Sequence, residues 1–283
     1  MSNEYQMIVW VASYPKSGNT LIRAILSSLL FSENGIFDIN KLSFIPNFPQ
    51  KRFFKNLTEE RADIKEVSKF WIKAQDKINE NKKLKFVKTH NANSCINNNY
   101  FTDKKNTTGA IYIVRDPRDV LISAAKHYDL SIKRTIKLMF DEYSHTMPRK
   151  KFEHEIVTFL GSWSYNYKSW INMGNNTLLL KYEDLILDKE KEILKIIKFI
   201  NNFIPLKVDK KKLENCIKTT SFKSMANKEK EGLFKENSIS KNNERIKFFN
   251  RGNSGGWKDT LDNALAEQIE NKFKEEMTEL NYI

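Results

Sequence analysis

The chain has 283 residues and a formal charge of +13, from 48 Lys and Arg against 35 Asp and Glu. A hydrophobic share of 40% and an aromatic share of 12% exclude a disordered or collagen-like chain, the two cysteines exclude a disulfide scaffold or a cysteine-rich zinc site, and no apolar run approaches the ~18 residues of a membrane span. The charge excess is uneven, zero over residues 1–50 and +8 over Pro205–Lys258, so it suggests a nucleic acid, an anionic surface or a small anionic ligand.

Met7–Ala12 is a short apolar run rich in β-branched residues and predicts a buried, parallel strand. Ser13–Asn19 contains the breakers Pro15 and Gly18, and Thr20–Phe31 then shows helical apolar spacing. Asn34–Lys55 reads as a loop with aromatic anchors, and Thr58 as the cap of a helix reaching about Asn81. Leu84–Lys88 predicts a second strand and Asn91–Asn99 a loop. Ala110–Arg115 predicts a third strand, after which Asp116 and Pro117 start a helix, with Asp at the cap and Pro in the first turn.

Further on, Ser131–Ser144 and Glu155–Met173 have helical patterns, Thr177–Tyr182 reads as a fourth strand, and Lys189–Ile200, Leu206–Ile217 and Ser221–Ala226 as helices. Asn227–Asn250 is charged and poor in apolar residues, so a mobile loop is expected there, followed by an amphipathic helix over Trp257–Glu279. Strands alternating with helices predict one α/β domain over residues 1–283, with a central parallel sheet flanked by helices and a P-loop-like phosphate-binding loop. The N-terminus has no basic region before an apolar core, so no signal peptide is expected, and the cysteine usage fits a reduced, cytoplasmic setting.

Three strand ends carry chemistry. Lys16-Ser17-Gly18-Asn19-Thr20 places a cation, two hydroxyls and a glycine at a helix mouth, where unpaired amides favour an anion. The Mg-nucleotide motif has its lysine after the second glycine, and here Lys16 precedes Gly18. A sharp β-to-α turn with a surface lysine fits the same residues. Arg115 is delivered to the end of a strand, where ligands collect in open parallel sheets, and Ser123 lies eight residues on in the helix. Arg118 and Asp119 fit a salt-bridged first turn. His90 ends the second strand beside Lys88 and is placed to act as a general base near neutral pH. His127, His145 and His154 fall in helical stretches, and no histidine has a partner at metal-ligand spacing, so no metal is expected.

Tyr14-Pro-Lys-Ser-Gly-Asn-Thr20, Lys88-Thr-His90, Arg115-Asp-Pro-Arg-Asp-Val-Leu-Ile-Ser123, Tyr182-Glu-Asp-Leu185 and Arg251-Gly-x3-Gly-Trp-Lys258 together resemble the sulfotransferase family that uses PAPS, 3′-phosphoadenosine 5′-phosphosulfate, in motif order from Tyr14 to Lys258. The resemblance implies that Lys16, Ser17, Gly18, Asn19 and Thr20 hold the 5′-phosphosulfate. It implies His90 as catalytic base, Lys88 and Lys16 as catalytic lysines, and Arg115 and Ser123 as the grip on the 3′-phosphate. It implies Tyr182, Thr220 and Phe222 on the adenosine side, and Arg251 and Gly252 closing over the 3′-phosphate. Leu21 stands where the family often has an adenine-stacking Trp, Asn250 replaces a cation, and Gly255-Gly256-Trp257 replaces Gly-Asp-Trp. The family's short dimer motif would fall at Lys258–Glu267, with Asp262-Asn263 in place of Thr-Val, so a homodimer is only an expectation.

The implied reaction moves a sulfuryl group from PAPS, leaving PAP, to a hydroxyl or amine of a small-molecule, lipid or glycan acceptor, with no metal. A variant P-loop phosphotransferase using ATP and Mg²⁺ is the alternative enzyme, with Asp116 and Asp184 as the available carboxylates. Nucleic-acid binding rests on the basic charge alone, with no binding motif, and is not expected. Phe37, Phe44, Phe48, Phe53 and Phe54 are candidates for an apolar acceptor pocket or for plain packing.

Overall fold

The computed structural model describes residues 7–58, 63–146, 156–174, 176–234, 238–239, 245–249, 252 and 254–283. In chain order, β1 (Ile8–Ala12) leads through a tight loop into α1 (Asn19–Phe31), followed by the short β2 (Asn47–Phe48) and α2 (Trp71–Asn79). Next come β3 (Lys85–Thr89), β4 (Thr107–Val114), α3 (Pro117–Tyr128) and α4 (Trp163–Ile171). The chain continues through β5 (Thr177–Lys181), α5 (Tyr182–Leu187), α6 (Lys189–Ile200), α7 (Lys210–Thr219) and α8 (Phe222–Lys230). Two further helices, Asn263–Lys272 and Lys274–Glu279, end the described chain.

The α/β class holds. Five strands form one sheet in the order β2-β3-β1-β4-β5. β1 runs parallel to both β3 and β4, and β2 runs parallel to β3. All five residues of β1 are buried, which is why the sequence there is continuously apolar rather than alternating. The α3 start is as expected: Asp116 caps it through the Arg118 amide, and Pro117 occupies the first turn.

Several local expectations are corrected. The stretch after Asn34 holds a 3₁₀ helix at Ile39–Phe44, the edge strand β2 and a helical turn at Lys51–Phe54, with Phe37, Phe48 and Phe54 as buried anchors. The helix expected from Thr58 starts at Ile64 instead, capped by Asp63, whose carboxylate accepts the Glu66 amide, and it breaks at Lys69 before α2. Asn91–Asn99 contains a short antiparallel pairing, Cys95–Ile96 with Asn99–Tyr100. Thr158–Phe159 pairs with His145–Thr146, so His145 is in a strand rather than a helix. His154 lies outside the described residues.

The expected mobile loop from Asn227 is also corrected where it is described. α8 runs on to Lys230, Phe234 is buried, and Ser238–Ile239 pairs with Arg245–Ile246. A long polar run with isolated aromatics hides a small core when those aromatics meet distant partners.

The contacts divide the chain into two compact units. The first comprises residues 1–14, 45–113 and 141–179 and carries most of the sheet. Its core is aromatic. The Trp10 ring lies 5.1 Å from Phe101, 5.6 Å from Phe48 and 6.1 Å from Trp170, and Trp71 lies 5.4 Å from Phe101. Tilted and edge-on pairs of this kind suit the ring quadrupole. The second unit comprises residues 15–44, 114–140 and 180–283. There Ala24, Phe37, Ile39, Leu42, Met225 and Phe234 form a buried cluster, with Leu21, Phe248 and Phe249 packed against it. Phe37, Phe48 and Phe54 are thus core packing, and Phe44 is exposed against Phe31.

Candidate active site

His90 follows β3 in the first unit. Its Nδ1 lies 2.9 Å from the Ser13 carbonyl oxygen and 3.2 Å from Ser13 Oγ. A carbonyl only accepts, so Nδ1 carries the proton and Nε2 is the basic nitrogen of the neutral ring. The backbone is fixed as well. The buried Asn166 side chain donates to the carbonyls of His90 (3.1 Å) and Leu160 (2.8 Å) and accepts from the Tyr112 hydroxyl (2.8 Å). Burial holds the Tyr112 phenol well above its ordinary range, so it stays a donor. One residue on, the Asn91 carbonyl accepts from the Trp170 indole at 2.9 Å, and its side chain accepts the Phe159 amide at 2.9 Å. The aromatic core therefore reaches the strand end that carries His90 directly. Lys88 is half-buried in β3, and its amide donates to Pro46.

In the second unit, the loop before α1 has unusual backbone geometry. Lys16 has φ of 68° and Gly18 φ of 108°. The first is rare for a side-chain-bearing residue and costs about 1–2 kcal/mol, a strain that gathers at functional loops. The second requires glycine. Gly18 gives α1 no side-chain cap. The Ser17 hydroxyl is fully buried and has no hydrogen-bond partner among the described residues. A buried orphan hydroxyl beside an uncapped helix mouth and a lysine fits a phosphate-type oxyanion. Asn19 and Thr20 are buried in the first turn.

Of the remaining predicted donor residues, Arg115, Tyr182, Gly252 and Phe222 join Lys16 in one chain of contacts. Arg115 donates to the Lys16 carbonyl at 3.4 Å, and its guanidinium lies 4.5 Å from the Tyr182 ring centre. The Tyr182 hydroxyl donates to the Gly252 carbonyl at 3.2 Å. Burial, opposed by Arg115, raises the Tyr182 pKa and keeps that donor protonated. Gly252, with φ of 68°, lies so close to Phe222 that a Cβ would meet the ring at 2.3 Å. Lys16, Arg115, Tyr182, Gly252 and Phe222, scattered over most of the sequence, are thereby drawn into one region of the second unit. Ser123 is half-buried in α3. Thr220 is fully buried, and its hydroxyl donates to the Cys216 carbonyl at 2.7 Å, closing α7. Arg251 and Asn250 lie outside the described residues.

Several contacts near these positions were not expected from the sequence. Asp119 does not pair with Arg118. It lies 3.7 Å from Arg115 and accepts the amides of Gly255 and Trp257. Arg118 pairs with Asp116 at 2.7 Å and with Glu270, and lies 3.9 Å from the Trp257 ring centre. The Lys16 ammonium lies 3.7 Å from the Phe248 ring centre, a cation–π contact. Lys189 donates to the carbonyls of Thr220 (2.7 Å) and Ile217 (3.4 Å), capping α7 where it turns toward Phe222. Burial lowers the Lys189 pKa to about 8. Apart from Arg118–Asp116 and Arg115–Asp119, which are local in the chain, these contacts join residues far apart in sequence.

Among the described residues, no group of His, Cys, Asp and Glu is arranged to hold a metal ion, and no helix is long and apolar enough to cross a membrane.

Comparison with known proteins converges on one family. The profile described as sulfotransferase domain matches residues 7–281. Human sulfotransferase 1E1 is 26% identical over 271 residues, covering 95% of this chain and 83% of that one. Sulfotransferase 2A1 of Macaca fascicularis is 30% identical over 172 residues, a match spanning 60% of this chain and 56% of its own length. The crystal structure of a mouse sulfotransferase, SULT7A1, complexed with PAP superposes with a TM-score of 0.57 at 18% identity, covering 96% of this chain and 84% of that one. The chain belongs to the sulfotransferase domain family.

Proposed function

We propose that this member of the sulfotransferase domain family transfers a sulfuryl group from PAPS to a hydroxyl or amine of a small acceptor, releasing PAP. PAPS supplies an activated sulfuryl group on a phosphate leaving group. Lys16, with Ser17, Gly18, Asn19 and Thr20, binds the phosphosulfate end. Arg115 and Ser123 hold the 3′-phosphate together with Gly252, and Arg251 is assigned to the same task. Tyr182 and Phe222 face the adenosine, and Thr220 fixes the turn that presents Phe222.

His90 accepts the acceptor proton at Nε2, since Nδ1 is committed to the Ser13 carbonyl. As the acceptor oxygen bonds to sulfur, the sulfur–oxygen bond to phosphate breaks and negative charge grows on the departing oxygen. Lys16 and the amides at the α1 mouth stabilise that charge more than they stabilise the ground state. Lys88 contributes a second cation near the sulfuryl group.

The observation that supports this reading is the run of contacts from Lys16 through Arg115, Tyr182 and Gly252 to Phe222, which links residues of four of the five motifs. The mouse relative's structure was solved with PAP. The same reading takes residues 1–283 as one sulfotransferase domain acting in the cytoplasm, with the homodimer as a further expectation.

The test is a PAPS-dependent screen of phenols, sterols, lipids and glycans by mass spectrometry, with ATP and EDTA arms in parallel. The expected result is a mass gain of one sulfuryl group that persists in EDTA. Phosphate transfer from ATP, abolished by EDTA, would replace this reading with the phosphotransferase one.

A further inference from the structure

The late segment around Gly252 is held on both flanks by buried carboxylates from different helices. Before it, Glu229 in α8 is 7% exposed and accepts the Phe248 amide at 2.6 Å and the Phe249 amide at 2.9 Å, one on each oxygen. After it, Asp119 in α3 is 4% exposed and accepts the Gly255 amide at 2.8 Å and the Trp257 amide at 3.0 Å, again one on each oxygen. Both pairs join residues distant in sequence, so neither is a local turn or cap.

A buried carboxylate carries a desolvation cost, and beside a site for a polyanionic donor it also repels the ligand. The position of Asp119, 3.7 Å from Arg115, makes that repulsion direct. The compensating gain is geometric. A carboxylate accepts two amides at once through charge-assisted bonds, which a neutral side chain of the same size does not match. Each carboxylate also acts on a second element of the site. Asp119 orients Arg115, and the segment that Glu229 holds carries Phe248, whose ring lies over the Lys16 ammonium.

We infer that Asp119 and Glu229 are positioning residues for the nucleotide donor, pinning Phe248–Phe249 and Gly255–Trp257, the stretches on either side of Gly252, before PAPS arrives. The inference rests on the sulfotransferase reading. It assigns to two acidic residues a favourable role in binding an anion, opposite to the effect their charge alone would have.

The test uses the full chain and PAP itself. Asp119→Asn and Glu229→Gln keep the size of each side chain and lose one of its two acceptors. Each is expected to weaken PAP binding in calorimetry by about tenfold, the weight of a charge-assisted hydrogen bond. KM for PAPS should rise in parallel, with kcat at saturating PAPS and KM for the acceptor little changed. Hydrogen exchange without nucleotide should accelerate at 254–258 in the first variant and at 245–249 in the second. Asp119→Glu keeps the charge and displaces the carboxylate, so it should also bind PAP more weakly.

Tighter PAP binding by Asp119→Asn would show charge repulsion dominating and overturn the inference, as would unchanged affinity in both neutral variants. If either variant fails to fold, Asp119→Glu and the intact partner variant decide by the same criteria. Wild-type protein that does not bind PAP would instead remove the sulfotransferase reading. The exchange rates without nucleotide would still tell whether the carboxylates hold the flanks.

Discussion

Under the proposed function, in which His90 is the base and Lys16 lines the anion cradle, the surroundings of the two residues solve different problems. His90 is fixed by neutral groups: a backbone carbonyl on Nδ1, an asparagine on its own carbonyl, and an indole and a phenol behind them. Lys16 sits in a strained turn against a phenyl ring, and its carbonyl binds an arginine that is itself paired with a buried aspartate. A base must present one tautomer in one direction, and neutral hydrogen bonds do this without changing the ring's charge. An anion cradle must hold several cations close together, which repel one another until the ligand arrives. Strain, ring faces and buried carboxylates are the means of holding them there.

The sharpest way to break this contrast is to remove each centre. His90→Ala should lower kcat by about 10²–10⁴-fold, the usual weight of a general base, while PAP affinity measured by calorimetry stays the same. Full turnover in this variant would remove His90 from its role. Lys16→Met should lower kcat by about 10²–10³-fold and also weaken PAP binding, because its charge serves both states. An effect on kcat alone would mean that Lys16 acts only as charge develops.

Asn166→Ala tests the neutral scaffold. It strips an acceptor from the buried Tyr112 hydroxyl and donors from two carbonyls, so urea denaturation should show a loss of about 2–3 kcal/mol. A loss below about 0.5 kcal/mol, the level of an ordinary surface substitution, would show that the Tyr112–Asn166–His90 connection does not stabilise the unit.

Lys189 tests the charged side by pH. Its pKa falls from 10.5 unfolded to about 8 folded, because burial opposes the charge. The folded state therefore carries the full penalty below about pH 8. It recovers stability as pH rises to 10.5, where the unfolded chain binds more protons. The nearby Cys216 thiol, pushed up to about 11 by burial, stays largely protonated over that window. The stability advantage of wild type over Lys189→Met should widen across it by up to about 3 kcal/mol. A gap that does not change with pH would remove the penalty.

The smallest effect is expected from Ser13→Ala. The carbonyl that sets the His90 tautomer survives, so kcat should stay within about threefold, less than one neutral hydrogen bond is worth. A large loss would move the tautomer control from the backbone to the hydroxyl.

What the sequence made legible follows the range of the interactions. The strand ends at Ala12, Thr89 and Val114, and the Asp116–Pro117 helix start, are written in neighbouring residues. Gly18 announced the turn. Asp63 displaced Thr58 as a helix cap because the helix begins later than the apolar pattern suggested. Phe234, Glu229 and Asp119 were opaque for another reason. A phenylalanine in a polar run looks like a loop residue until Phe248 and Phe249 return to meet it. A carboxylate one turn after an arginine looks like a surface pair until two amides more than 130 residues away in the chain settle on it.

The division of the chain between its two units has a consequence for synthesis. Each unit is assembled from three separated stretches, so neither is finished when its first stretch leaves the ribosome. The sheet unit waits for residue 179, and α1 waits for α7 and α8, whose Thr219 and Met225 complete the surroundings of Phe37. High sequence separation of this kind slows folding and lengthens the exposure of apolar strands such as β1. A chain that stops anywhere before residue 179 lacks part of both units, so neither unit can be completed from such a fragment.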